Sequence, residues 1–205
     1  MTGRPPVRRP HSGPACPPSR GDGGRNRILS GSASSPGVTP RGALPVGPTR
    51  ENGEVRRRVE RILVSACLMG VRCRYDGGDN LTPEVTDAAG SCCLIPVCPE
   101  ILGGLPTPRT PAEVVGGDGA EVLAGRARVM TQEGRDVTDA FVRGAGEVLR
   151  VARVLGVGEA WLKGGSPSCG VSRIYDGTFS RRLRPGAGVT AALLAREGLR
   201  LREFA

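Results

Sequence analysis

A chain of 205 residues with 29 Lys and Arg against 20 Asp and Glu carries a formal charge of +9, 3% aromatic residues and one histidine. That length allows one ordinary domain and a tail. The histidine, His11, lies in the tail, which excludes Ser-His-Asp and Cys-His chemistry from the body.

Charge and composition divide the chain. Residues 1–60 hold eleven basic and four acidic residues, ten of the 18 prolines and ten of the 32 glycines. Such a stretch buries too little apolar surface to offset its ordering entropy. Residues 1–57 therefore read as a disordered Arg/Pro/Gly-rich tail, and residues 58–205 as an α/β domain. The tail has no continuous apolar core, so no signal peptide or membrane span is expected. The excess positive charge belongs mostly to the tail. It leaves nucleic-acid contact by the tail open, on weak support, and gives no such footprint on the body. Seven cysteines, an odd number, do not suit a small disulfide scaffold. Reduced thiols in the cytoplasm are the expectation.

In chain order, Ile62 to Cys67 predicts a buried strand and Gly70 to Asn80 a loop. Thr82 as cap with Pro83 behind it predicts a short helix ending by Gly90. Leu94 to Cys98 predicts a second strand, and Pro111-Ala112-Glu113 one helical turn. Arg126 to Met130 with Gly134 to Val137 predicts a small hairpin. Thr138 is the expected cap of the clearest helix. Phe141, Ala145, Val148, Leu149, Ala152 and Leu155 form its apolar face, and Gly156 ends it. Glu159 to Leu162 predicts a third strand, Val189 to Glu197 a last helix, and Leu199 to Phe204 a terminal edge strand. Strands alternating with helices predict a single-domain α/β fold with a mostly parallel sheet flanked by helices.

Three cysteines, Cys67, Cys98 and Cys169, each follow an apolar run and stand among turn residues. In a parallel sheet their strands would deliver all three to one edge, outside the carboxyl ends, where open α/β folds place their sites. Convergent soft ligands without histidine suggest an iron–sulfur or zinc site with one open position. Cys92 and Cys93 lie at a strand start and read as buried and structural; Cys73, in the loop beside Cys67, is ambiguous. Glu100 sits two residues after Cys98, held at the same rim by Pro99, and could do acid–base work. Lys163, the only lysine, could favour a thiolate or balance an anionic cluster. Ser166 and Ser168 flank Pro167 before Cys169, and Arg109 and Glu113 could bind substrate. Two Tyr-Asp-Gly segments, Tyr75-Asp76-Gly77 and Tyr175-Asp176-Gly177, are turn signals.

The strings Ser65-Ala66-Cys67-Leu68-Met69-Gly70, Arg74-Tyr75-Asp76-Gly77 and Cys98-Pro99-Glu100 resemble those of the thiouracil desulfidase family. So do Gly104-Leu105-Pro106-Thr107-Pro108-Arg109, Ser166-Pro167-Ser168-Cys169-Gly170 and Tyr175-Asp176-Gly177-Thr178-Phe179. The resemblance spans roughly Arg61 to Phe204. It implies a 4Fe-4S cluster held by Cys67, Cys98 and Cys169, with Glu100 and Ser166 or Ser168 catalytic. It further implies an enzyme that hydrolyses the C–S bond of a thiolated pyrimidine without net electron transfer, giving uracil and sulfide. Tyr75, Asp76, Arg109, Lys163, Tyr175 and Asp176 are the candidate substrate contacts. The alternatives are a thiol-based redox protein using Cys67 and Cys73, or a zinc-stabilised nucleic-acid-binding module.

Overall fold

The short apolar runs 62–64 and 160–162 are buried without a break, which is what the central strands of a parallel sheet require. The computed structural model describes residues 59–205 and, before them, only two strands, β1 (Arg50–Glu51) and β2 (Glu54–Val55), paired antiparallel. Apart from that pair, the tail assigned to residues 1–57 lies outside the described residues. By its contacts the chain divides into two units. β1 and β2 belong to Pro17–Val59, and all later elements to the unit holding Glu60–Ala205.

That unit runs β3 (Arg61–Ser65), α1 (Pro83–Asp87), β4 (Cys93–Val97), α2 (Pro99–Leu102), β5 (Ala112–Val115), α3 (Gly119–Leu123) and β6 (Arg128–Thr131). It continues with α4 (Thr138–Leu155), β7 (Glu159–Lys163), β8 (Arg173–Tyr175), β9 (Leu183–Pro185), α5 (Val189–Arg196) and β10 (Arg200–Phe204). The main sheet has the order β10-β7-β3-β4, and every neighbouring pair is parallel. The predicted strands and the C-terminal edge strand are all in it.

Alternation along the central strands builds two cores. Ile62, Val64, Trp161 and Phe204 turn to one face and pack with Leu68 and Val85. Leu63, Ala160 and Leu162 turn to the other and meet Phe141, Ala145 and Val148 of α4 and Leu194 of α5. Burying each Val, Leu, Ile or Phe among them contributes about 1.5–3 kcal/mol. The helix α4 spans the predicted range, and Gly156 ends it in the left-handed conformation at φ 63°. α2 lies directly on α4: a Cβ on Gly144 would stand 1.9 Å from the Pro99 carbonyl oxygen, and one on Gly103 2.1 Å from that of Ala140.

Four local expectations are corrected. Pro111 to Glu113 starts no helix; Ala112–Val115 is a strand that pairs antiparallel with β6. The predicted hairpin is reduced to the bridge between Met130 and Asp136, because β6 gives its ladder to β5. Thr138 does not cap α4: its hydroxyl accepts from Val129 N–H at 2.9 Å, and Asp136 accepts from Thr138 N–H at 2.9 Å. Cys93 is exposed, whereas Cys92 is buried.

Candidate metal centre

Since β3, β4 and β7 are adjacent and parallel, their carboxyl ends open on one edge. Cys67 sits in the one-turn helix Ala66–Met69 that follows β3. Cys98 is the N-cap of α2, directly after β4. Cys169 follows the Gly164–Gly165 turn after β7; the hydroxyl of Ser166 accepts its N–H at 3.0 Å and that of Ser168 at 3.1 Å. All three cysteines line one cavity of about 570 Å³. Cys73, Glu100, Arg109, Lys163 and Ser166 line it too, as do Tyr75 and Tyr175. A second concavity, along Pro108, Thr110 and Glu133, is shallow and has no thiol.

Cys67, Cys73, Cys98 and Cys169 are free thiols, and their electrostatics differ. A hydrogen bond from Cys73, opposed by burial and aided by Asn80, Lys163 and Arg74, lowers Cys67 to about 6. Cys98 is lowered to about 7, first by its hydrogen bond with Cys73, then by the Ile101 N–H at the start of α2 and by Arg109. Cys73 is held protonated by those same contacts with Cys67 and Cys98. Burial pushes the Cys169 thiol up, against a hydrogen bond with Ser65. Two of the three strand-end sulfurs are therefore primed as thiolates, the form that binds metal.

Glu100 is fixed from one side. Arg109 Nε donates to Glu100 Oε2 at 2.7 Å, and both side chains are mostly buried, 7% and 17% exposed. Lys163 Nζ donates to the Gly164 carbonyl at 3.0 Å, on the cavity wall. Ser168 stands apart from Ser166: it is fully buried, 2.8 Å from the Thr190 hydroxyl, and does not line the cavity. Asp76 and Asp176 also lie outside the cavity lining. Asp76 accepts from Arg74 at 2.8 and 3.1 Å, and Asp176 from Thr178 N–H at 3.0 Å.

Asn80, Phe179 and Arg181 line the cavity without being sequence candidates, whereas Glu113 is one. Asn80 N–H donates to the Cys67 carbonyl at 2.9 Å, closing the loop onto that cysteine. Glu113, buried in β5, accepts from Gly177 N–H at 2.9 Å and Phe179 N–H at 3.0 Å, and so pins the second Tyr-Asp-Gly loop to the cavity. Phe179 and Arg181 on that loop line the cavity with φ 58° and 61°. Glu113 is the candidate substrate contact of the sequence whose carboxylate is already engaged by two backbone N–H groups of the Tyr175 loop; no spacing points to Asn80, Phe179 or Arg181.

The donor set fits an iron–sulfur cluster. Cationic Lys163, Arg74 and Arg109 border the thiols, and the wall mixes aromatic and polar groups. Among the described residues, no group of three or more His, Cys, Asp or Glu side chains could hold a single metal ion. The sulfurs instead line a cavity wide enough for a larger group.

A parallel sheet with thiols, a carboxylate and a serine gathered beyond its carboxyl ends defines a sulfur-ligand α/β site. The family profile described as 2-thiouracil desulfurase matches residues 62–203, and the chain belongs to that family. It is 44% identical over 140 residues to the Bacillus subtilis (strain 168) "Uncharacterized protein YbbK", covering 68% of this chain and 93% of that one. Its fold is similar to that of a 4Fe-4S-dependent thiouracil desulfidase, TudS, at TM-score 0.63 and 42% identity, over 70% of this chain and 90% of that one. Among the described residues no helix is long and apolar enough to cross a membrane.

Proposed function

We propose that this chain is an iron–sulfur-dependent desulfidase that converts a thiolated uracil and water into uracil and sulfide. The observation that carries the reading is the convergence of Cys67, Cys98 and Cys169 with Glu100 on one cavity at the strand ends. The name of the TudS neighbour supports the cofactor.

Cys67, Cys98 and Cys169 would hold the cluster, and three protein sulfurs for four irons leave one position for substrate. When bound, the cluster supplies a thiophilic Lewis acid that withdraws electrons from a thiocarbonyl. The protein's own groups do the rest. Tyr75 and Tyr175 offer ring faces and hydroxyls to the pyrimidine. Glu100, oriented by Arg109, takes a proton from the water that attacks the ring carbon, then returns it to the departing sulfur. Ser166 Oγ accepts two backbone N–H groups, which leaves its own proton free to donate to an oxygen forming on that carbon. The C–S bond breaks, a C–O bond forms, and no electron is gained or lost. Free thiols at this site accord with a cytoplasmic setting.

The test is anaerobic purification, iron and sulfide analysis, and an assay for sulfide released from 2-thiouracil. About four irons per chain and sulfide release are expected. Glu100→Gln should keep the iron and lower turnover by about 10²- to 10⁴-fold. A colourless zinc protein, or full turnover in the variant, would overturn the cofactor or the Glu100 assignment respectively.

A further inference from the structure

Cys73 has no part in the reaction just described, and its surroundings are not those of a core cysteine. It is the one buried residue among 71–80, on a loop where Arg72 and Tyr75 are exposed. It belongs to neither hydrophobic cluster, whereas a cysteine kept as a small hydrophobe packs among apolar side chains. Cys98 Sγ donates to its carbonyl at 3.8 Å, and Cys73 lines one cavity together with Cys67, Cys98 and Cys169. Its carbonyl accepts from Arg109 Nη2 at 3.0 Å, the same guanidinium that holds Glu100. The cavity therefore has four sulfur donors, three from strand ends and one from a loop.

On the cluster reading above, we propose that Cys73 is a fourth, displaceable sulfur ligand, which binds the remaining iron when substrate is absent and yields it to the substrate's sulfur. The division of labour follows from the backbone. Cys67, Cys98 and Cys169 stand where strands end in hydrogen-bonded turns. Cys73 lies in a segment with neither helix nor strand, bounded by Gly70 and Gly77 at φ 84° and 80°. Such a segment can move its side chain without disturbing the sheet. On binding metal the thiol loses its proton to solvent; on displacement it recovers one, and no electron moves. A resting site closed by four sulfurs is shielded from water and oxidants until substrate arrives.

The test loads the full chain with ⁵⁷Fe and records Mössbauer spectra without substrate for the wild type, Cys73→Ala and Cys73→Ser. In the wild type all the iron should show sulfur-only ligation. In both variants about one iron in four should show a separate signal from an oxygen ligand, and air should draw iron from about four towards three per chain. Adding 2-thiouracil to the wild type should change the signal of that same fraction. Variant spectra and air stability matching the wild type would overturn the proposal. The wild-type spectrum decides even if the variants fail to fold: a cluster already carrying one oxygen-ligated iron rules out Cys73 and leaves the desulfidase reading intact. A wild type without iron removes both.

Discussion

Arg109 directs its guanidinium inward. Nε reaches Glu100 at 2.7 Å, Nη2 the Cys73 carbonyl at 3.0 Å, and Nη1 both the Pro106 carbonyl at 3.1 Å and the Thr107 hydroxyl at 3.2 Å. A guanidinium has five N–H donors, so this pattern leaves little for a substrate. The sequence reading made Arg109 a substrate contact; we propose from these bonds that it positions Glu100. The two roles separate in kinetics. Arg109→Lys loses the planar fork but keeps the charge. If Arg109 positions the base, the variant should retain iron and lower kcat by about 10- to 100-fold, a part of what general-base catalysis supplies, with KM little changed. A raised KM at unchanged kcat would return Arg109 to substrate binding.

At the scale of elements, the site depends on how closely α2 approaches α4. α2 carries Cys98 at its cap and Glu100 in its first turn. Gly144 is the residue that lets it lie there, since a Cβ would come within 1.9 Å of Pro99 O. Gly144→Ala should destabilise the protein by about 1–3 kcal/mol through overpacking and also lower iron retention, because Cys98 must shift with α2. Gly146, one residue pair further along α4, is exposed and has nothing within 4 Å of its would-be Cβ. Gly146→Ala should raise stability by about 0.8–1 kcal/mol on helix propensity alone, leaving iron content unchanged. Thermal melts and iron assays on the pair check both. These contacts also show what was legible in the sequence. The four sheet strands and α4 announce themselves because apolar runs and a 3.6-residue period reflect burial directly. The short strands β5, β6, β8 and β9 contain charged residues such as Glu113, Arg128, Arg173 and Arg184, so their pattern is weak and their pairing is decided by tertiary contact. Cys67, Cys98, Cys169 and Glu100 were readable because strand ends in a parallel sheet share an edge. Ser166 and Ser168 were not separable: only the packing of α5, through Thr190, turns one hydroxyl into the interior and leaves the other on the cavity.

For the whole molecule, the question is how much of the chain the chemistry needs. The family match begins at residue 62, and both relatives align with only 68–70% of this chain while being covered almost completely themselves. Among the described residues, the cavity is lined by residues between Ser65 and Arg181. The charge imbalance lies elsewhere: eleven basic against four acidic residues in 1–60, but 18 against 16 in the remainder. A body so nearly neutral has little to offer a polyanion, whereas an arginine-rich segment neutralises phosphates and binds with steep salt dependence. Sulfide release and any polyanion contact should therefore come apart when the chain is shortened. A protein starting at Arg58 should keep about four irons per chain and a kcat/KM for sulfide release equal to that of the full chain. Any retention of duplex DNA by the full chain should fall as salt rises and vanish in the shortened one. Loss of iron or turnover on shortening would mean that the N-terminal segment takes part in the site, and the desulfidase would then need more of its sequence than the two relatives possess.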